Sequence, residues 1–187
     1  MLKEYADLLA NVRQDVQYHS IRSLIQPNDP TVQEIADVLI QANDFVALAQ
    51  DMISAFYLYT PEAGDFWNYP WEILEDKAGD CDCRSILLCS ILRNFMPPEK
   101  VFCAFGYMDP KDKESGHMWV VVIEKNGNER VVEATAPSTK ALTGKYEPLA
   151  LFNDVYAFAT EMGIKDFDLK PIPLGASIPS EPVPAST

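Results

Sequence analysis

Residues Lys77–Arg93 read KAGDCDCRSILLCSILR. Three cysteines open a segment whose later residues Ile86, Leu87, Leu88, Cys89, Ile91 and Leu92 are apolar most of the way round a helix. Such a helix belongs in the centre of a fold rather than on its surface. It is expected to run from Cys81 to about Phe95, ahead of Pro97-Pro98. Cys81 follows Gly79-Asp80 directly and therefore stands among the unpaired N–H groups of the first turn. That setting favours a thiolate, and the same N–H groups can receive an oxyanion.

Outward from this helix the period changes. VFCAFGYM, HMWVVVIEK and ERVVEATA are β-rich, and Asn126-Gly127 between the last two is a hairpin signal. A further strand is expected within Tyr146–Thr160. Upstream, TPEAGDFWNYP is an aromatic loop, and WEILEDKAG is expected to form one or two helical turns stopped by Gly79. Thr31 to Tyr59 keeps helical spacing, capped by Asp29 with Pro30 as first helical residue and breaking at Asn43-Asp44. Leu2, Tyr5, Leu9, Val12 and Val16 recur three or four apart, which predicts a first amphipathic helix from Met1 to about Tyr18. From Pro171 the chain is rich in proline and small residues and reads as a disordered tail or linker over 171–187. The expected fold class is α+β, with N-terminal helices and a central cysteine-bearing helix packed on an antiparallel sheet. One domain is expected over 1–170, helical over 1–59 and with its core at about 57–160.

The chain has 187 residues, 48% of them hydrophobic, and a formal net charge of −13. That charge would repel a phosphate backbone and an anionic membrane surface, so no nucleic-acid or membrane partner is expected. No apolar run is long enough to span a bilayer, and the start lacks a signal peptide's uninterrupted apolar core. A soluble, cytoplasmic chain with reduced thiols follows as the expectation, because four cysteines are too few for a disulfide framework.

The chain contains two histidines. His19 reads as a surface residue at the end of the first helix. His117 opens the strand GHMWVVVIEK, with Trp119 two residues on and so on the same face. It is the candidate general base. Glu133 in VVEATA is the candidate orienting acid, on the strand paired through the Asn126-Gly127 turn. With those two residues as the turn centre, Val120 faces Glu133, and His117 and Glu133 are offset by three. A bulge or longer loop is then needed to bring them together. Trp67, Asn68 and Tyr69 are candidate second oxyanion donors, and Trp119 a candidate cover for the imidazole. Two residues along a helix differ by about 200°, so Cys81 and Cys83 cannot both face His117. Cys83, Cys89 and Cys103 read as packed thiols. Cysteine spacings of two and six along one apolar helix do not suit structural zinc, and no metal or cofactor is expected.

GDCDCRSILLCSILR, then GHMWVVV, then VVEAT resembles the transglutaminase-like superfamily of papain-fold thiol enzymes, over roughly Tyr57 to Thr135. The order of cysteine, histidine and acid agrees, and the YPWEIL entry to the helix is also similar. The resemblance implies Cys81 as nucleophile, His117 as base and Glu133 as orienting acid. It also implies acyl transfer on amide bonds of a protein or peptide through a thioester. Water as acceptor makes the enzyme a cysteine peptidase or amidase, and an amine makes it a transamidating one. A catalytically idle binding or scaffold module is the alternative. Where the family often carries an acidic residue two after the cysteine, this chain has Cys83.

Overall fold

A computed structural model describes residues 1–13, 15, 17–61, 66–109 and 116–178. Three short strands come first: β1 (Lys3–Tyr5), β2 (Asp7–Ala10) and β3 (His19–Ser20). Two helices follow, α1 (Pro30–Leu39) and α2 (Phe45–Phe56), then β4 (Leu58–Tyr59), α3 (Pro70–Asp76) and β5 (Ala78–Gly79). The central helix α4 (Cys81–Leu92) leads into β6 (Val101–Tyr107), β7 (Gly116–Ile123) and β8 (Glu129–Val132). The chain then forms β9 (Glu147–Phe152), β10 (Ala157–Ala159), α5 (Glu161–Asp166) and β11 (Lys170–Ile172). The fold is α+β, as expected.

Capping sets the first two helices. Asp29 Oδ1 accepts from the N–H groups of Thr31 and Val32, and Pro30 occupies the first turn. Asp44 Oδ1 accepts from Ala47 N–H, so the Asn43-Asp44 break is the N-cap of α2. Helix α3 ends at Lys77, which takes left-handed geometry at φ 53°, two residues before the expected stop at Gly79. Gly79 serves another purpose. A Cβ on it would meet Cys83 Cβ at 2.6 Å, so glycine lets β5 lie against the first turn of α4.

Every residue of α4 from Asp82 to Leu92 is buried. Its hydroxyls must therefore find partners inside the protein. Ser85 Oγ donates to Met118 O at 3.1 Å, and Ser90 Oγ donates to Ile86 O at 2.8 Å. Helices α1, α2 and α3 pack on α4, and β6 and β7 cover it from the sheet side. The six-stranded sheet has order β1-β10-β9-β6-β7-β8 and is antiparallel throughout. Cys103, Phe105, Met118, Val120, Val122 and Phe152 join α4 in the main core. Ala104, Trp119 and Val121 form a second cluster, with Tyr146 and Leu151 packed against it.

Three sequence expectations are corrected. Among the described residues, Met1 to Tyr18 forms no helix. Leu8, Ala10 and Val12 alternate into the core while β1 pairs β10 and β2 pairs β3 and β11. Both a helical and a two-residue period exist in this segment, and sheet edges needing partners select the second. Gln14 and Val16, the latter used in the helical reading, lie outside the described residues. The helical part of 1–59 thus begins at Pro30, apart from a single 3₁₀ turn at Arg22–Leu24. Pro171 and Ile172, assigned to a tail, belong to β11 and pair with Leu8 and Asp7. An edge strand tolerates proline. Residues 179–187 of the expected tail lie outside the described residues.

The third correction concerns the hairpin. The β7–β8 connection spans residues 124–128, with Glu124 N–H on Asn128 O, Gly127 N–H on Glu124 O, and Gly127 at φ +86°. This extra left-handed residue puts Val120 opposite Val132 rather than Glu133.

Backbone proximity also makes a glycine necessary on β6. The β6–β9 register shifts between Phe105 and Gly106, and a Cβ on Gly106 would lie 2.1 Å from Glu147 O and 2.9 Å from Leu149 N. Gly106→Ala should therefore cost on the order of 3 kcal/mol in urea denaturation. Gly127→Ala, with open space around it, should cost about 1 kcal/mol for its backbone geometry alone.

Candidate active site

The one-residue register change decides the site. Continued past Val132, the ladder sets His117 opposite Thr135, so Glu133 becomes its diagonal neighbour on the same face. His117 Nε2 donates to Glu133 Oε2 at 2.7 Å. Thr135 holds the other oxygen, donating from its N–H at 3.1 Å and from Oγ1 at 2.7 Å to Oε1. Gln50 of α2 steadies the backbone here, its Nε2 donating to Glu133 O and Ala136 O at 3.0 Å each. Asp51, the next residue, accepts from Ser138 N–H and Oγ.

Cys81 is half-buried at the start of α4 and lines the same cleft as His117, close enough for its thiol to raise the pKa of the imidazole. Nε2 is committed to Glu133, so Nδ1 is the nitrogen left for the thiol. Asp80, the N-cap of α4, makes no side-chain cap, which leaves the first-turn N–H groups without that partner. Burial alone would lower the His117 pKa, but hydrogen bonds to Cys81 and Glu133 and the charge of Glu133 raise it to about 10. Burial would raise the Glu133 carboxyl, yet the His117 bond and charge and the two Thr135 bonds hold it below its ordinary value. Imidazolium and carboxylate thus form one hydrogen-bonded pair, with Cys81 beside it on the cleft.

A cleft of about 720 Å³ opens over these residues. Tyr59, Trp67, Asp80, Cys81, Asp82 and His117 line it, and Asp166–Leu169 supplies another wall. Cys83 is fully buried beneath Gly79, and burial pushes its thiol up far from its ordinary value. Cys89 and Cys103 are buried in the core. All four cysteines are free thiols.

The structure also places the remaining expected residues. Trp67 lines the cleft, stacked parallel to Phe152 with centroids 6.1 Å apart. Its N–H donates to Val12 O, and the Tyr69 N–H donates to Glu72 Oε2, so neither backbone donor is free for an oxyanion. Asn68 is buried. Trp119 is fully buried with its ring stacked 6.1 Å from the His117 ring. His19 is not a surface helix end: it is buried in β3 and its Nε2 contacts both Asp15 oxygens at 2.8 and 2.9 Å.

Several residues here carried no sequence signal. Arg13 makes a two-pronged ion pair with Glu72, both bonds 2.7 Å, and also donates to Trp67 O. Its guanidinium lies over the rings of Phe66 and Tyr69 and ties the described part of the aromatic loop to α3. Buried Arg84 donates to Tyr57 O beneath the Tyr59 ring, securing β4 at the rim. Asp82 is buried beside Asp80. Burial and the neighbouring Asp80 carboxylate push the Asp82 carboxyl well up. Asp80 Oδ1 and Asp82 Oδ1 have no hydrogen-bond partner, and with Cys83 these residues place ligand-type atoms within 4.8 Å of one another.

No protein-family model matches the sequence, and no curated protein matches it. Solved structures do match. Calcium-bound LapG of Legionella pneumophila has a TM-score of 0.53 at 14% identity, over 74% of this chain and 84% of that one. EGTA-treated LapG gives 0.52 at 16% identity, over 74% and 83%. The periplasmic domain of TgpA from Pseudomonas aeruginosa, bound to ethylmercury, gives 0.42 at 19% identity over 60% and 46%, an overlap too small to argue from. The LapG likeness concerns the fold, which is the transglutaminase-like, papain-like one that the sequence motifs resemble. Among the described residues no helix is long and apolar enough to cross a membrane.

The charges set a pH signature. Protonated His117 contributes stability that is complete below 6.5, declines as the pH rises, and is gone above about 10. Ionised Glu133 contributes stability present above 4.5 and lost as the pH falls through its depressed folded value. In an NMR titration of the two histidines, His117 should therefore remain protonated through neutral pH. Glu133→Gln removes both the charge and a charge-assisted bond and should lower the His117 midpoint by about one unit or more.

Proposed function

We propose that the chain is a thiol-dependent acyl-transfer enzyme of the cysteine peptidase or amidase kind, acting on amide bonds of a protein or peptide. The observation that carries this reading is the 2.7 Å His117–Glu133 bond with the Cys81 thiol beside it in one cleft. Cys81 thiolate attacks the carbonyl carbon, and the electron pair of the C=O bond moves to oxygen. First-turn N–H groups of α4 receive that oxyanion. As the C–N bond breaks, His117 gives its proton to the leaving amine, and Glu133 keeps the imidazole oriented. A thioester on Cys81 remains. Water then attacks it, with His117 accepting the proton, and hydrolysis regenerates the thiol.

Transamidation differs only in the acceptor: an amine attacks the same thioester. Hydrolysis is favoured here because the cleft is open and lined by carboxylates and hydroxyls that hold water. The four free thiols are what supports a reducing, cytoplasmic setting.

A second reading concerns a cation. The similar LapG structure is described as calcium-bound. Asp80 and Asp82 present two buried carboxylate oxygens without partners, a donor set that suits a hard cation, whereas the Cys83 thiol does not. Bound there, calcium would neutralise the carboxylates flanking Cys81. Calcium should then raise the melting temperature of the wild type, and Asp82→Asn should abolish that rise. No rise in the wild type would remove the cation reading and leave the thiol chemistry standing.

The acyl-transfer reading is tested by incubating the protein with a peptide library and analysing it by mass spectrometry. Acyl adducts should appear on Cys81 and be diverted by added hydroxylamine. Cys81→Ala should lower turnover by at least about 10³-fold, while Cys83→Ala, a buried thiol, retains it. Turnover that survives Cys81→Ala would sink the proposal.

A further inference from the structure

We propose that Tyr146 is a positioning residue for the triad, one that holds Glu133 ionised and fixes the carboxylate oxygen His117 uses. This rests on the reading of Cys81, His117 and Glu133 given above. Tyr146 lies in the connection between β8 and β9, immediately before Glu147. Its hydroxyl donates to Glu133 Oε2 at 3.0 Å, the same oxygen that accepts from His117 Nε2. With two Thr135 donors on Oε1, each carboxylate oxygen has two donors. A carboxylate oxygen offers about two lone-pair directions, so this one is fully engaged and cannot turn without losing bonds.

The Tyr146 ring is also fixed. It meets Trp119 edge-on at 5.1 Å and lies 6.4 Å from His117, while Trp119 stacks beside His117. The aromatic pair closes one side of the His117–Glu133 bond. Burial and the charge of Glu133 push the Tyr146 phenol up, so it stays a donor wherever His117 is protonated. Around Glu133 the other titratable groups are His117 of β7 and, beyond it, Cys81 of α4; Gln50 of α2 and Thr135 are neutral.

A donor to the charged form of a carboxylate lowers its pKa. Tyr146→Phe keeps the ring against Trp119 and removes only that donor. The test follows the His117 Nε2–H signal by proton–nitrogen NMR as the pH is lowered, with melting temperature as a control. In the wild type the signal should persist until Glu133 protonates. In Tyr146→Phe it should be lost about one pH unit higher, with little change in melting temperature at neutral pH. Loss at the wild-type pH would overturn the proposal. Glu133→Gln separates this from failure of the underlying reading. If it leaves the His117 signal and its acid transition unchanged, the His117–Glu133 pair itself is wrong. If it removes the transition while Tyr146→Phe matches the wild type, only the role of Tyr146 fails.

Discussion

The whole arrangement depends on burying α4. Cys81 at its start is the one residue of this helix that is not buried, while Asp82 to Leu92 are buried among three helices and the sheet. A helix enclosed this way can offer chemistry only at an end. Its N-terminus carries unpaired N–H groups and the positive end of the helix dipole, so a thiol there meets donors that no other position supplies. The glycine at position 79 belongs to the same constraint, because β5 must run against the first turn without a side chain between them.

The second requirement is a charged group held in a partly dry place. Glu133 is only 4% exposed, and an ionised carboxylate there must be fully bonded to stay ionised. His117, Thr135 and Tyr146 meet that need from β7, the turn just after β8 and the end of the β8–β9 connection, and Gln50 holds the backbone beneath it. The network therefore ties α2, α4 and the sheet edge to one carboxylate. Such networks are worth most when every member is satisfied, which is the case for the Glu133 oxygens.

Much of the core was legible in the sequence. An all-round apolar helix, strands of β-branched residues and a capped helix pair each carry a local signal that tertiary packing reinforces. The first 18 residues were misread because their apolar residues satisfy two periods at once, and the partners that choose between them, β10 and β11, lie more than 140 residues away. Tyr146, Arg13 and Asp82 carried no signal, since a tyrosine, an arginine or an aspartate in a polar segment is ordinarily solvated.

What the sequence alone determined was the cast: a cysteine at the mouth of a buried helix, a histidine opening a strand, and an acid in the β-rich run after it, which lies just past the end of β8. Those follow from local rules of periodicity, capping and turn chemistry. Whether histidine and acid share a face was decided only by the tertiary structure. A two-residue turn at Asn126-Gly127 and a connection with one extra left-handed residue are both compatible with the same letters. They differ by one step of register, and in a strand one step sends a side chain to the opposite face. The packed sheet takes the longer connection, and Glu133 meets His117 because of it.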